Sequence, residues 1–206
     1  RKFGEVLDRE GVELRIKVTS GTLENLSLLR SGEVDAAFLQ SGVATPAPDD
    51  PIDSLGSLYF EPLWLFYKAE TPIGLLSDLK GLRVAVGGIG SGTKALSEPL
   101  LALNGVTRET AGIADIGGDE AAAALRRGEI DAAFYVASPE APLIRDLLRD
   151  PAFQLFSYER ADAYTRHFRH MSKIVLPRGM IDFRTDQPPV DKTLLAAAAT
   201  LAANDD

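Results

Sequence analysis

Apolar and polar positions follow the same order in two ten-residue stretches, residues 29–38 (LRSGEVDAAF) and 125–134 (LRRGEIDAAF). One shift of 96 residues maps Gly32 to Gly128, Asp35 to Asp131 and Phe38 to Phe134 (128 − 32 = 96). Each copy reads as a helix end, a glycine stop, an acidic turn and a short apolar strand. A unit this long, present twice, predicts two similar α/β lobes rather than a solenoid of many short repeats. Two facing lobes leave a cleft, which is where small ligands bind between domains.

The rest of the pattern fills in that frame. Residues 13–19 (ELRIKVT) alternate and are rich in β-branched types, which predicts a strand. A helix follows over 23–30, with Leu23, Leu26 and either Leu29 or Arg30 on its buried stripe, then a strand over 34–39. Residues 45–52, with prolines at 46, 48 and 51, read as a surface loop. The aromatic stretch 57–67 (SLYFEPLWLFY) reads as strand interrupted at Pro62 and crossing between lobes. Beyond it come a short helix or turn at 75–81, a strand at 82–86, a glycine loop at 87–92 and a helix at 93–103. Strands at 111–116, 130–136, 153–158 and 172–176 then alternate with helices at 119–127, 139–149 and 161–169. Such alternation predicts α/β layers with largely parallel sheets.

Composition narrows the function. With 206 residues the chain buries a core without needing a metal or disulfide. A net charge of −8 argues against a nucleic-acid surface, which needs a basic stripe. The absence of cysteine removes thiol catalysis, Cys-rich zinc sites and disulfide staples. No apolar run approaches the roughly 18 residues of a membrane span, and the alanine-rich 194–203 is too short.

The strongest chemical signal is Val84-Ala85-Val86-Gly87-Gly88-Ile89-Gly90-Ser91-Gly92-Thr93, a strand, a glycine turn and a helix start. First-turn amides lack internal partners and the helix dipole favours negative charge there, so this is an anion site in outline. Thr93-Lys94 reverses the order that a P-loop needs, and glycines at 88, 90 and 92 do not form G-x-G-x-x-G. Ser20-Gly21-Thr22 offers a second set of amides before a helix, or simply a cap. Gln40 and Ser41 sit at a strand end, where open α/β sheets bind ligands, and Val136 holds the matching place in the second copy. Glu61 lies among apolar neighbours at the crossing, poised for a ligand ammonium or a hinge salt bridge. Tyr59, Trp64, Phe66 and Tyr67 line a cleft or fill a core. His167 and His170 share the 161–169 helix but are flanked by Arg166 and Arg169, which disfavours a metal. No carboxylate pair stands out as acid and base, so no catalytic residue, metal or cofactor is predicted.

GTLENLSLLRSGEVDAAFLQSGVA, SLYFEPLWLFY, LKGLRVAVGGIGSGTKALSEPLL, LRRGEIDAAFYVASPEAPL and MSKIVLPRGMIDF, in that order, resemble the TAXI family over residues 18–189. These are solute-binding proteins associated with TRAP-type transporters, within the two-lobed (type II) periplasmic binding proteins. The resemblance implies an extracytoplasmic, monomeric receptor that closes on a small carboxylate or glutamate-like amino acid and hands it to a TRAP-type permease. It implies a ligand shell of Ser20, Gly21, Thr22, Gln40, Ser41, Tyr59, Glu61, Gly90, Ser91, Gly92, Thr93 and Val136. The lobes it implies are residues 1–62 and 63–172, with 173–206 returning to the first. Family members open with an earlier strand and continue further, so a chain lacking its first strand and C-terminal part is expected, with any membrane anchor in a segment outside it. Two other readings stand beside the receptor: an enzyme on the same scaffold, and a ligand-sensing domain of a membrane receptor.

Overall fold

The computed structural model describes residues 2–43, 47 and 49–204. Its elements in chain order are α1 (Lys2–Arg9), α2 (Thr22–Arg30), β1 (Ala36–Gln40), β2 (Ile52–Lys68), a 3-10 turn (Leu76–Leu79), β3 (Arg83–Ala85) and α3 (Gly92–Leu103). There follow β4 (Gly112–Ala114), α4 (Gly118–Arg127), β5 (Ala132–Val136), α5 (Pro142–Arg149), β6 (Phe153–Leu155), α6 (Ala161–His167), β7 (Met171–Leu176) and β8 (Lys192–Asn204). Of the 45–52 loop, positions 45, 46 and 48 lie outside the described residues.

The strands form one sheet in the order β1-β8-β2-β5-β3-β4, with β6 on β2 and β7 on β8. Only β3–β4 and β3–β5 are parallel. The other five pairings are antiparallel, which corrects the expectation of largely parallel sheets. The reason is that each of those five involves one of two long strands, the 13-residue β8 or the 17-residue β2. β2 pairs with β8 from Ile52 to Leu63 and with β5 from Leu63 to Tyr67. Pro62 does not interrupt it. Beside Pro62 the sheet has β8 on one edge only, because β5 joins at Leu63, so the missing N–H leaves that second edge unharmed.

Two more expectations change. Residues 13–19 hold no strand, because no neighbouring strand offers them a ladder, and their alternation leaves Val18 90% exposed. Leu23 is also exposed, and α2 buries Thr22, Leu26, Leu28 and Leu29 instead. The alanine-rich segment, whose composition carries no strand pattern, is β8. It joins β1, β2 and β7, and its small side chains let neighbours close over both faces.

Two hydrophobic cores result. The larger gathers Leu63, Trp64, Leu65 and Phe66 of β2 with Leu96 and Leu100 of α3, Ala121 and Leu125 of α4 and Phe134 of β5. The smaller packs Leu26 and Leu29 of α2 on Leu39 and Ala202. The duplicated stretches occupy equivalent places. Gly32 (φ 68°) follows α2 and leads to β1, while Gly128 (φ 74°) caps α4 and leads to β5. Left-handed φ at both explains the two glycine stops.

In the second copy the acidic turn is the centre of an ion-pair cluster. Asp131 accepts from the Arg83 amide (2.9 Å) and Nε (3.0 Å), and pairs with Arg83 and Lys68. Arg83 above all holds its carboxyl down at about 2. A lowered pKa stabilises the fold above the unfolded value and is lost as pH falls towards the folded one. Discounted for solvent screening, the contribution is about 1 kcal/mol. Asp131→Asn is therefore expected to lower stability at pH 7 by about that much and to flatten its decline between roughly pH 4 and 2, read by urea unfolding across pH.

Candidate functional site

The glycine loop is built from the inside out. Val84 and Ala85 of β3 and the following Val86 are buried. Ser97, buried on α3, donates from Oγ to Val86 O (2.8 Å) and pins the helix to the strand end. Ser91 is the N-cap of α3, its Oγ accepting from the Lys94 amide (3.2 Å). Thr93 Oγ1 accepts from the Val136 amide (3.0 Å), tying the loop to the end of β5. With the Lys94 amide capped, the first-turn amides of Gly92 and Thr93 have no hydrogen-bond partner among the described residues. Lys94 Nζ pairs with Asp115 (2.9 Å), which holds it on an ion pair shared with Arg108 rather than at the loop's mouth.

The turn before α2 faces this loop. Gly21 (φ 136°) is the N-cap of α2 and supplies no side-chain cap, so the serine or threonine cap weighed above is absent. Ser20 instead donates from N and Oγ to Glu24 Oε2 (2.7 and 2.6 Å). A Cβ on Gly21 would lie 3.9 Å from Gly90 O, so the two turns approach across a gap. Under the 96-residue shift, however, the counterpart of Gly21 is Gly117, the N-cap of α4. The two turns that oppose each other across the cleft are therefore not the duplicated pair.

Between them lies a cavity of about 290 Å³ lined from both cores. Gly21, Thr22 and Asn25 of the α2 end form one wall. Phe38, Leu39, Gln40, Tyr59, Glu61 and Ala199 form the sheet floor, and Ser91, Gly92, Thr93 and Val136 close the opposite wall. Gln40, Ala199 and Tyr59 sit side by side in register across three strands.

Gln40 organises the cavity. Its amide donates to Thr22 Oγ1 (3.1 Å) and its Nε2 donates to Glu61 Oε2 (3.0 Å). Its Oε1 packs so closely on Gly92 that a Cβ there would overlap it. Burial pushes the Glu61 carboxyl up, partly offset by the Gln40 bond. Burial and the nearby Glu61 charge push the Tyr59 hydroxyl up.

Nine of the twelve expected residues line the cavity: Gly21, Thr22, Gln40, Tyr59, Glu61, Ser91, Gly92, Thr93 and Val136. Ser20, Ser41 and Gly90 are adjacent in sequence but do not line it. Ser41 gives its amide to Ala198 O (2.9 Å) in the sheet margin. Trp64, Phe66 and Tyr67 belong to the core. Asn25, Phe38, Leu39 and Ala199 line the cavity and were not anticipated. Phe38 carries a usable signal, since residues i and i+2 of a strand share a face and Gln40 is an expected site residue. α6 ends at His167, so His170 lies beyond it and the two histidines share no helix face. No cluster of three or more His, Cys, Asp or Glu able to hold a metal occurs among the described residues.

A second cavity of about 330 Å³ adjoins the first through Ser91 and Thr93 and runs to Asp115, Gly117, Gly118 and Glu120. It is built from the larger core's loops alone.

The sequence profile of the NMT1-like family matches residues 4–206. The chain belongs to the NMT1-like family. Among solved structures, an ancestral arginine-binding protein bound to arginine aligns with a TM-score of 0.57 at 15% identity, covering 98% of this chain and 72% of its own. An amino acid ABC transporter substrate-binding protein from Streptococcus pneumoniae, bound to L-arginine, gives 0.57 at 16% identity, covering 100% of this chain and 69% of its own. The periplasmic aliphatic sulphonate binding protein of Escherichia coli gives 0.58 at 18% identity, covering 96% of this chain and 59% of its own. At such identities the likeness shows the fold. This NMT1-like chain has the mixed α/β, two-lobed architecture of periplasmic binding proteins. No helix among its described residues is long and apolar enough to cross a membrane.

Proposed function

We propose that this NMT1-like chain captures a small carboxylate in the cavity between its two cores, as an extracytoplasmic solute receptor. The observation that carries this reading is the meeting of the unpartnered Gly92 and Thr93 amides with the Gly21–Thr22 turn and Gln40 around one cavity. Amides at a helix start hold an anion without a basic side chain, which suits a chain of net charge −8. Ser20, Ser41 and Gly90 join the shell in this reading only when the walls approach on closure. The lobes are residues 1–62 and 63–172, with 173–206 returning to the first, and β2 and β8 serve as the hinge between them.

The finer assignment is a TAXI-type receptor that delivers its ligand to a TRAP-type permease as a monomer. It rests on the ordered motifs over residues 18–189. A binding role is supported by the solved binding proteins whose fold the chain shares.

Titration calorimetry with amino acids, dicarboxylates and short monocarboxylates tests the reading. Binding of at least one compound near micromolar strength, about −8 kcal/mol, is expected, without turnover by mass spectrometry. Silence across the panel, or conversion of the bound compound, contradicts it.

A further inference from the structure

Along one edge of β8 two strands lie end to end. β1, from the smaller core, pairs as far as Gln40, opposite Ala199. β7, whose Met171 and Leu176 belong to the larger core, begins with Met171 opposite Ala197. Ala198 lies between them, and its carbonyl accepts from the Ser41 amide (2.9 Å). On the other edge β2 runs past the same point unbroken, with Tyr59, Phe60 and Glu61 opposite Ala199, Ala198 and Ala197. The seam between the cores is thus continuous strand on one edge of β8 and a junction of two strand ends on the other.

His170, the residue before β7, closes that junction. Its ring lies against the open face of Gly42. A Cβ on Gly42 would overlap the imidazole at Cδ2, Nε2 and Cγ. So close an approach needs a glycine, and the left-handed φ of 82° at Gly42 favours one again. Phe168 backs the ring edge to face, 5.9 Å between centroids, and Phe168 O accepts from the Met171 amide (2.9 Å). Burial pushes the imidazole pKa down, and among the described residues no hydrogen bond or charge acts on it. The ring therefore packs at neutral pH as a flat, uncharged group.

Gly42 belongs to the turn that carries Gln40. The Val43 amide donates to Gln40 O (3.2 Å), while Gln40 N and Nε2 donate to Thr22 and Glu61. The Gln40 side chain spans the cavity from Glu61 to Gly92. A ring carried by the larger core thus bears on the strand end that places this side chain. We propose that His170, which does not itself line the cavity, is a positioning residue for it: the ring seats turn 41–43 and so holds Gln40 between Glu61 and Gly92. The proposal goes beyond the receptor reading, and only its binding arm rests on that reading.

The test compares His170→Ala, which removes the ring, with His170→Phe, which keeps a flat one, in the whole chain. Without ligand, NMR of the Gln40 side-chain amide reads its bond to Glu61. His170→Ala is expected to move the Nε2 proton signals upfield as that bond loosens, and His170→Phe to leave them in place. Gly42→Ala drives a methyl into the ring, so it is expected to move the same signals, and to move them less when His170→Ala is already present. Calorimetry with L-glutamate and with glutarate is expected to show about tenfold weaker binding to His170→Ala and less than about a twofold change for His170→Phe. Gln40 signals that stay in place in His170→Ala overturn the proposal, even where urea unfolding shows lost stability, because the ring then serves packing alone. Signals that move as far in His170→Phe overturn it too, as does unchanged affinity of His170→Ala for a probe that the unaltered protein binds. Silence of the unaltered protein towards both probes and the wider panel overturns the receptor reading, while the Gln40 signals still decide the role of His170.

Discussion

Gly87→Ala is expected to destabilise the protein by about 3 kcal/mol. Gly87 has φ 101°, a conformation that side chains rarely adopt. Its Cβ would lie 2.7 Å from Thr93 Cβ, 2.8 Å from the Lys94 amide nitrogen and 2.8 Å from Ser91 Oγ. These are the atoms that cap α3 and tie the loop to β5, so the strain falls on the start of the helix itself. Gly32→Ala is the matched control. It also has positive φ (68°), but a Cβ there meets nothing within 4 Å. Only the conformational cost remains, about 1 kcal/mol. Urea unfolding with unchanged m-values separates the two. Equal losses would show that the packing around the glycine loop is looser than described.

The second large effect falls on binding. Gly92→Ala is expected to weaken ligand affinity about 100-fold, or about 2.7 kcal/mol, with a stability change below about 1 kcal/mol. The added methyl overlaps Gln40 Oε1. Gln40 is a flexible chain, so its head group turns away at little cost to the fold. In turning it abandons Glu61 Oε2 and blocks the approach to the Gly92 amide. Calorimetry with whichever panel compound binds best reads the affinity, and urea unfolding reads the stability. Unchanged affinity would place the ligand somewhere other than this cavity.

The two effects act on neighbouring glycines of one turn for different reasons. Gly87 faces its own helix, whereas Gly92 faces the other wall of the cleft. Both glycines were visible in the sequence, but nothing local distinguished their roles, because the atom opposing Gly92 comes from a residue 52 positions earlier (92 − 40 = 52).

The same contrast governs the fold. The duplicated stretch was legible because its parts are local: a left-handed glycine after a helix and a short apolar strand need no distant partner to be recognised. The α3 start was legible for the same reason. Residues 13–19 carry a strand pattern that the described residues leave unpaired, since alternation prepares a strand but a ladder requires a neighbour. β8 shows the reverse. LLAAAATLAA has high helix propensity, yet it forms a 13-residue strand. Neighbours on both edges and tight closure over Ala196, Ala197, Ala199 and Ala202 outweigh the local preference. Missing β8 hid Ala199 from the expected site. Asn25 was hidden because its place depends on how α2 lies along β1, where its Nδ2 donates to Phe38 O (2.8 Å).

The central claim is that unpaired main-chain donors at the start of α3 hold the ligand's carboxylate. Amide NMR shifts followed while the best-binding compound of the panel is titrated test it most directly. The account predicts that the Gly92 and Thr93 amides move most, with the downfield change of a newly accepted hydrogen bond, and that their movement saturates at the calorimetric stoichiometry. Saturable binding that leaves those two amides unmoved would contradict it.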